Sequence, residues 1–239
     1  YTNNTVTYTS TGSGTGKTNY LAGTYDFAAT DSLFTSPAPT STYVTVPLLG
    51  GPVAFAYTAA KVADGLNLTA QNISDIFTGR VTKWNDASIK ANNLKIALPN
   101  KAIKVFYRSG SSGTNENISN YLAQNLPGQG WVKSSTWSTA IAGAKLNTTV
   151  VGTGLGTSAL VSGTLEDTLN GFGYFDLSDA ITADVSIAKL QNKAGAFIAP
   201  TASAAAKFIN AQSIITNGTD ATNGTLNVDF TKSVSGAYQ

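Results

Sequence analysis

The chain has 239 residues, of which 42% are hydrophobic and only 12% charged, with a formal net charge of +2 and no cysteine, histidine or methionine. Ordinary globular chains carry about 25% charged residues, so the surface here must be coated largely by serine, threonine, asparagine and glycine. Without histidine or cysteine there is no zinc finger, thiolate cluster, Ser-His-Asp triad or cysteine nucleophile, and the near-neutral balance argues against gripping a polyanion such as nucleic acid.

Carboxylate-built sites for hard cations stay open. The length suits one large domain or two lobes with a real core, and no apolar run reaches membrane-spanning length. A methionine-free chain starting at Tyr1 is expected of a processed or truncated product, and the polar coat is a composition common in extracellular proteins. The lack of cysteine fits either redox compartment. Asn-X-Ser/Thr triplets start at Asn3, Asn67, Asn72, Asn117, Asn147, Asn217 and Asn223, but about five would arise by chance in so Ser/Thr-rich a chain.

In chain order, residues 6–10 alternate β-forming side chains and predict a strand that runs into the turn Thr11-Gly12-Ser13-Gly14-Thr15-Gly16. A short helix fits 17–22, stopped by Gly23. Residues 25–30 predict a second strand with Asp31 at its C-terminal end. Residues 36–39 form a proline loop. The apolar stretch 43–57, broken by Pro47 and Gly50-Gly51-Pro52, reads as buried strands with a bend. Ile73, Ile76 and Phe77 give 69–78 helical spacing, ended by Gly79, while Ile103, Val105 and Tyr107 alternate as a strand. The turn 108–114 then feeds a helix that presents Ile118, Tyr121, Leu122 and Leu126 and ends near Pro127. A helix over 157–165, a strand over 171–177, an Ala-rich helix over 202–209 and a polar, turn-rich stretch over 217–227 complete the chain. Repeated strand, turn and helix predict α/β layering with mostly parallel strands.

Three places carry possible chemistry. The turn 12–17 has Gly16-Lys17-Thr18 as in a nucleotide P-loop, but Thr11 stands where that pattern needs its first glycine. It could simply join a strand to a helix. Alternatively, such a turn aims N–H groups and the positive end of a helix dipole at one point and captures an anion, with the Ser13 hydroxyl adding to it. The turn 108–114 repeats this design. Arg108 offers a planar fork of donors, Ser112 and Thr114 offer hydroxyls and Gly113 an unhindered N–H, against the plain reading of a capped helix beside a surface arginine. Asp31, at a strand end, could be a solvated turn residue. Beside an anion site it accepts a hydrogen bond from a protonated oxyanion and repels a fully ionised one, selecting phosphate over sulfate.

Taken together, four stretches resemble the phosphate-binding receptors of bacterial ABC phosphate importers. Residues 6–16 are similar to that family's first anion turn, Tyr25-Asp26-Phe27-Ala28-Ala29-Thr30-Asp31 to its DFGASD stretch, residues 76–86 to its GKIKKWDD stretch, and Arg108 with Ser111-Ser112-Gly113-Thr114 to its RxDGSGT turn. The likeness runs in order over nearly the whole chain. It implies a two-lobed α/β type II periplasmic-binding-protein fold with a hinged cleft. One lobe is expected from residues 1–49 and 175–239 and the other from 50–174, with crossings near 50–57 and 171–175.

The resemblance further implies phosphate bound by Ser13 and Asp31 from one lobe and by Arg108, Ser112, Gly113 and Thr114 from the other, with no cofactor and no enzymatic step. The expected setting is extracellular, cell-surface or periplasmic, with an ABC permease as partner. Two departures are notable. The family has a further strand, a Thr-Phe loop and a helix ahead of the point where this chain starts, and a final strand near where it stops, so part of one lobe is expected to be absent or supplied otherwise. Gly110 replaces an acid that pairs with the arginine in the family, which predicts a less firmly held Arg108. These departures leave open a structural or adhesive subunit whose gap a neighbouring chain's strand fills. A hydrolase in this fold would need Asp31, Ser13 or a carboxylate-bound metal, and the sequence shows no acids clustered at ligand spacing.

Overall fold

The computed structural model describes residues 5–34, 37, 39–145, 151–215 and 225–239; the triplets at Asn3, Asn147, Asn217 and Asn223, and Ser36 and Ala38 of the proline loop, lie outside them. Helix α1 spans Ser13–Leu21 and is followed by Gly23 at φ +69°. Strand β1 is Val53–Tyr57 and β2 Asn67–Leu68. Helix α2, Ala70–Thr78, forms because Thr69 and Asn72 cap each other reciprocally at its start and Gly79, at φ +80°, ends it in the left-handed conformation. Then come α3 (Ala87–Ala91), β3 (Lys104–Arg108), α4 (Gly113–Asn125, capped by Ser112) and α5 (Trp137–Ala140). After β4 (Thr153–Leu155), α6 (Ser158–Glu166) is capped by Thr157, and β5 (Gly171–Asp176) leads into α7 (Leu177–Thr182). The short strands β6 (Ser186–Ile187), β7 (Lys189–Gln191) and β8 (Phe197–Ile198) precede α8 (Ala202–Asn210), and β9 (Ser213–Ile214) pairs with β10 (Leu226–Asn227).

The principal sheet has the order β4-β3-β5-β1-β6. It is mixed rather than mostly parallel: β3 runs parallel to β4 and β5, but β1 is antiparallel to both β5 and β6. A smaller sheet orders β2-β7-β8. The parallel group ends at one edge, where β3 and β4 give way to the turns that open α4 and α6.

The core is aromatic. Trp84, Trp137, Tyr57, Tyr174, Phe77 and Phe172 are fully buried, with Phe77 edge-on to Trp137 at 5.0 Å and Trp137 tilted against Tyr174 at 5.2 Å. Residues 175–239 were expected to join 1–49, yet Leu190, Ala204, Phe208, Phe230 and Tyr238 are buried in one cluster with Phe55, Phe77 and Tyr121. Pairing of β6 with β1 and of β7 with β2 draws the chain after β5 back onto this body, and Tyr238 Oη donates to the Val53 carbonyl at 2.7 Å.

Residues 6–10 and 25–30 are not strands, and of 43–57 only Val53–Tyr57 is. Alternation by itself makes no ladder: these segments find no pairing partner among the described residues, and Val6, Tyr8, Phe27, Val44, Val46, Leu48 and Leu49 are exposed. The described triplet asparagines are structural. Asn67 donates to the Asn92 carbonyl, Asn72 completes the α2 cap, and Asn117 donates to the carbonyls of Asp31 and Gly113.

Because Phe77 touches Trp137, Phe172 and Tyr174 at once, Phe77→Ala is expected to cost about 3–5 kcal/mol, read as a lowered urea midpoint at unchanged slope.

Candidate anion-binding site

Arg108 ends β3 at the edge where the parallel strands stop, and it is only 5% exposed, so it is no surface arginine. No acid among the described residues forms an ion pair with Arg108. Instead, Arg108 Nε donates to the Gly156 carbonyl at 3.3 Å and Nη1 to Ser158 Oγ at 2.9 Å. Both acceptors lie at the β4–α6 junction, which repeats the strand, small turn, helix pattern of β3 and α4. The remaining nitrogen, Nη2, has no hydrogen-bond partner among the described residues.

The turn after Arg108 is held from within. Asn115 is fully buried in the first turn of α4. Its amide donates to the carbonyls of Arg108 at 2.9 Å, Ser135 at 3.1 Å and Gly110 at 3.4 Å. Its oxygen accepts from the Tyr174 hydroxyl, which in turn accepts from the Arg108 backbone N–H at 3.2 Å. Burial holds the Tyr174 phenol well above its ordinary pKa, so it stays a neutral donor. Ser112 caps α4 by accepting from Asn115 N–H, and its own N–H donates to Ser135 O. Thr114 is buried on the first turn.

The first segment meets this turn directly. Ser13, buried at the start of α1, donates to Asp31 Oδ2 at 3.2 Å and accepts from the Asp31 backbone N–H at 3.2 Å. Gly14 N–H donates across the seam to Ser111 O at 3.3 Å, and Asn117 Nδ2 reaches the Asp31 carbonyl at 3.3 Å. The approach requires glycine. A Cβ on Gly113 would lie 2.5 Å from Asp31 Cβ and 2.7 Å from Ser13 Oγ, and one on Gly12 only 3.3 Å from Arg108 Nη2. Thus Ser13, Asp31, Arg108 and Gly113, far apart in sequence, converge at one seam, with Ser112 and Thr114 in the turn beside them.

Lys17 is excluded from this point. Its Nζ donates to Ser32 Oγ at 2.9 Å and Leu33 O at 3.3 Å and lies 5.9 Å from the Phe34 ring centre, so the P-loop reading fails on position as well as pattern. It lines a neighbouring groove of about 370 Å3 together with Phe34, Ser111, Glu116 and Lys133, the last two forming an ion pair at 3.2 Å. Among the described residues no group of three or more carboxylates is placed to hold a metal. Asn115, Tyr174, Gly156 and Ser158 are residues of this site that sequence reasoning misses. Only Gly156-Thr157-Ser158, a small-residue turn before a helix, carried a readable signal.

A family model described as a PBP superfamily domain matches residues 1–231. The chain belongs to this superfamily. It is 35% identical over 209 residues to the phosphate-binding protein PstS of Pasteurella multocida, covering 84% of this chain and 57% of that protein. It is 30% identical over 231 residues to phosphate-binding protein PstS 3 of Mycobacterium leprae, covering 90% and 58%. The chain therefore spans a little over half the length of these curated relatives. Among solved structures it resembles the periplasmic phosphate-binding protein PfluDING bound with phosphate, with TM-score 0.64 at 22% identity over 85% of this chain and 61% of that one. It also resembles a phosphate-binding protein from Stenotrophomonas maltophilia, with TM-score 0.60 at 18% identity over 92% and 67%. The fold is thus the α/β type II periplasmic-binding-protein fold expected from sequence. Among the described residues no helix is long and apolar enough to cross a membrane.

Asn115→Ala removes four hydrogen bonds of the turn, and each buried group left unpaired costs about 1–3 kcal/mol. Chemical denaturation is expected to show a loss well beyond that of Asn117→Ala, whose amide is partly exposed.

Proposed function

We propose that this chain captures inorganic phosphate between the segment 5–34 and the body that begins at β1, acting as an extracytoplasmic solute receptor and not as an enzyme. The observation that carries the reading is the convergence of an unsatisfied guanidinium nitrogen, two helix N-termini and a carboxylate at a seam too tight for any side chain on Gly113. In this reading Arg108 Nη2 and the N–H groups of Gly113 and Thr114 donate to the anion, with the hydroxyls of Ser13, Ser112 and Thr114. The Asp31 carboxylate accepts the proton that phosphate retains and sulfate lacks. Closing the seam replaces water by fixed dipoles around the ion.

Delivery to an ABC permease is the use that the likeness to PstS proteins suggests. That the relatives are phosphate-binding proteins by name favours capture over the structural or adhesive alternative, and nothing in the comparisons supports a neighbouring chain completing the fold.

Isothermal titration should show one phosphate per chain, accompanied by a raised melting temperature. Charge-assisted hydrogen bonds contribute about 1.5–3 kcal/mol each, so Arg108→Ala is expected to weaken phosphate binding by at least about tenfold to a hundredfold. Asp31→Asn should lower the preference for phosphate over sulfate. No heat and no melting shift with phosphate at any pH from 5 to 9 would overturn the proposal.

A further inference from the structure

The start of α6 holds more hydroxyls than a helix start needs. Thr157 is its N-cap and accepts from the Leu160 N–H at 3.2 Å, so the cap position is already served. Ser158, one residue further on, is used elsewhere. Its oxygen accepts from Arg108 Nη1 at 2.9 Å, across 50 residues of sequence, while the Gly156 carbonyl accepts from Nε at 3.3 Å.

The core fixes where that hydroxyl stands. Strand β4 runs parallel to β3 with Leu155 opposite Arg108, and the ladder continues as Ser109 N–H donates to the Leu155 carbonyl at 2.9 Å. Gly154 permits this approach, since a Cβ there would lie 3.0 Å from the Tyr107 ring and 2.8 Å from Ser109 Cβ. Val161 and Leu165 of α6 are buried in one cluster with Phe106 of β3 and Phe175 of β5. Ser158 is therefore carried on a helix seated on the same sheet that carries Arg108.

A guanidinium is planar, so acceptors on two of its nitrogens fix the plane and leave the third one direction. That direction is the seam, where Nη2 lies 3.3 Å from the place a Gly12 Cβ would take. Both acceptors are uncharged, so the fork is held with its charge uncancelled.

We infer that Ser158 is a positioning residue of the anion site, its hydroxyl holding the Arg108 fork in the orientation that turns Nη2 to the ligand. This rests on the phosphate reading above. It gives the β4–α6 junction a part in binding that needs no contact between Ser158 and the ion.

The test measures phosphate dissociation constants by titration calorimetry, with melting temperatures, for wild type, Ser158→Ala, Ser158→Thr and Thr157→Ala. Ser158→Ala removes a hydrogen bond to a charged group and is expected to bind phosphate about tenfold more weakly. Ser158→Thr keeps the hydroxyl and should recover most of that loss. Thr157→Ala removes the cap but leaves the Arg108 contact, so it should lower the melting temperature with the dissociation constant unchanged. Unchanged binding in Ser158→Ala, or a Ser158→Thr variant as weak as Ser158→Ala, overturns the inference. So does equal weakening in Ser158→Ala and Thr157→Ala, because the junction then acts only through helix stability.

If wild type binds no phosphate, the receptor reading falls and nitrogen-15 NMR of the free protein decides the positioning claim. The chain has two arginines, Arg80 and Arg108, so Arg80→Lys assigns the signals. A held fork rotates slowly and gives separate Nη1 and Nη2 signals. They should be separate in wild type and Thr157→Ala and merged in Ser158→Ala. Signals already merged in wild type, or still separate in Ser158→Ala, overturn the inference.

Discussion

A guanidinium taken out of water is costly unless its donors are met, and the arrangement around Arg108 follows from that constraint. A carboxylate pressed against it would satisfy the charge outright and leave little for a ligand to do. Here a carbonyl and a hydroxyl take two of its nitrogens. These neutral acceptors fix the plane of the fork without cancelling its charge. The third nitrogen is left at the seam, where the segment from α1 arrives. The position therefore favours an incoming anion more than a tight ion pair would allow.

Such a site demands a rigid mount. The Asn115 amide ties together carbonyls from both sides of the turn and from residue 135, and Tyr174 links it to the Arg108 backbone. Both side chains are buried, and Tyr174 stands in the aromatic core on Trp137 and Phe77. The hydrophobic core and the polar turn are thus one structure: packing fixes the phenol, the phenol fixes the amide, and the amide fixes the loop. Glycines 12, 14 and 113 then let backbone meet backbone where side chains would hold the seam apart.

Much of this was legible in the residues, and the failures have physical causes. Helices with explicit stop and start chemistry, such as Thr69 to Gly79, were read almost to the residue because caps are local signals. The segments 6–10, 25–30 and 43–49 have strand-like alternation, but a strand exists only through a partner, and pairing is not local. Antiparallel β1 was hidden for the same reason. The meeting of Ser13, Asp31, Arg108 and the 112–114 turn was legible through small-residue turns opening helices at 13 and 113, although no strand precedes the first of them. Gly156 and Ser158 were not, since β4 is short and glycine-bearing, and Asn115 looked like an ordinary helical polar residue until its buried acceptors were known. The packing of Leu190, Phe208, Phe230 and Tyr238 against the body likewise depends on long-range pairing that no window of sequence reports.

Trp137 lies in van der Waals company with Tyr174, and its indole N–H is buried without a hydrogen-bond partner among the described residues. One side chain, that of Tyr174, links this chromophore to the Arg108 backbone. Movement of the turn that carries Arg108 is therefore passed to an indole ring through the Tyr174 phenol, which makes near-ultraviolet absorption a label-free reporter of that turn.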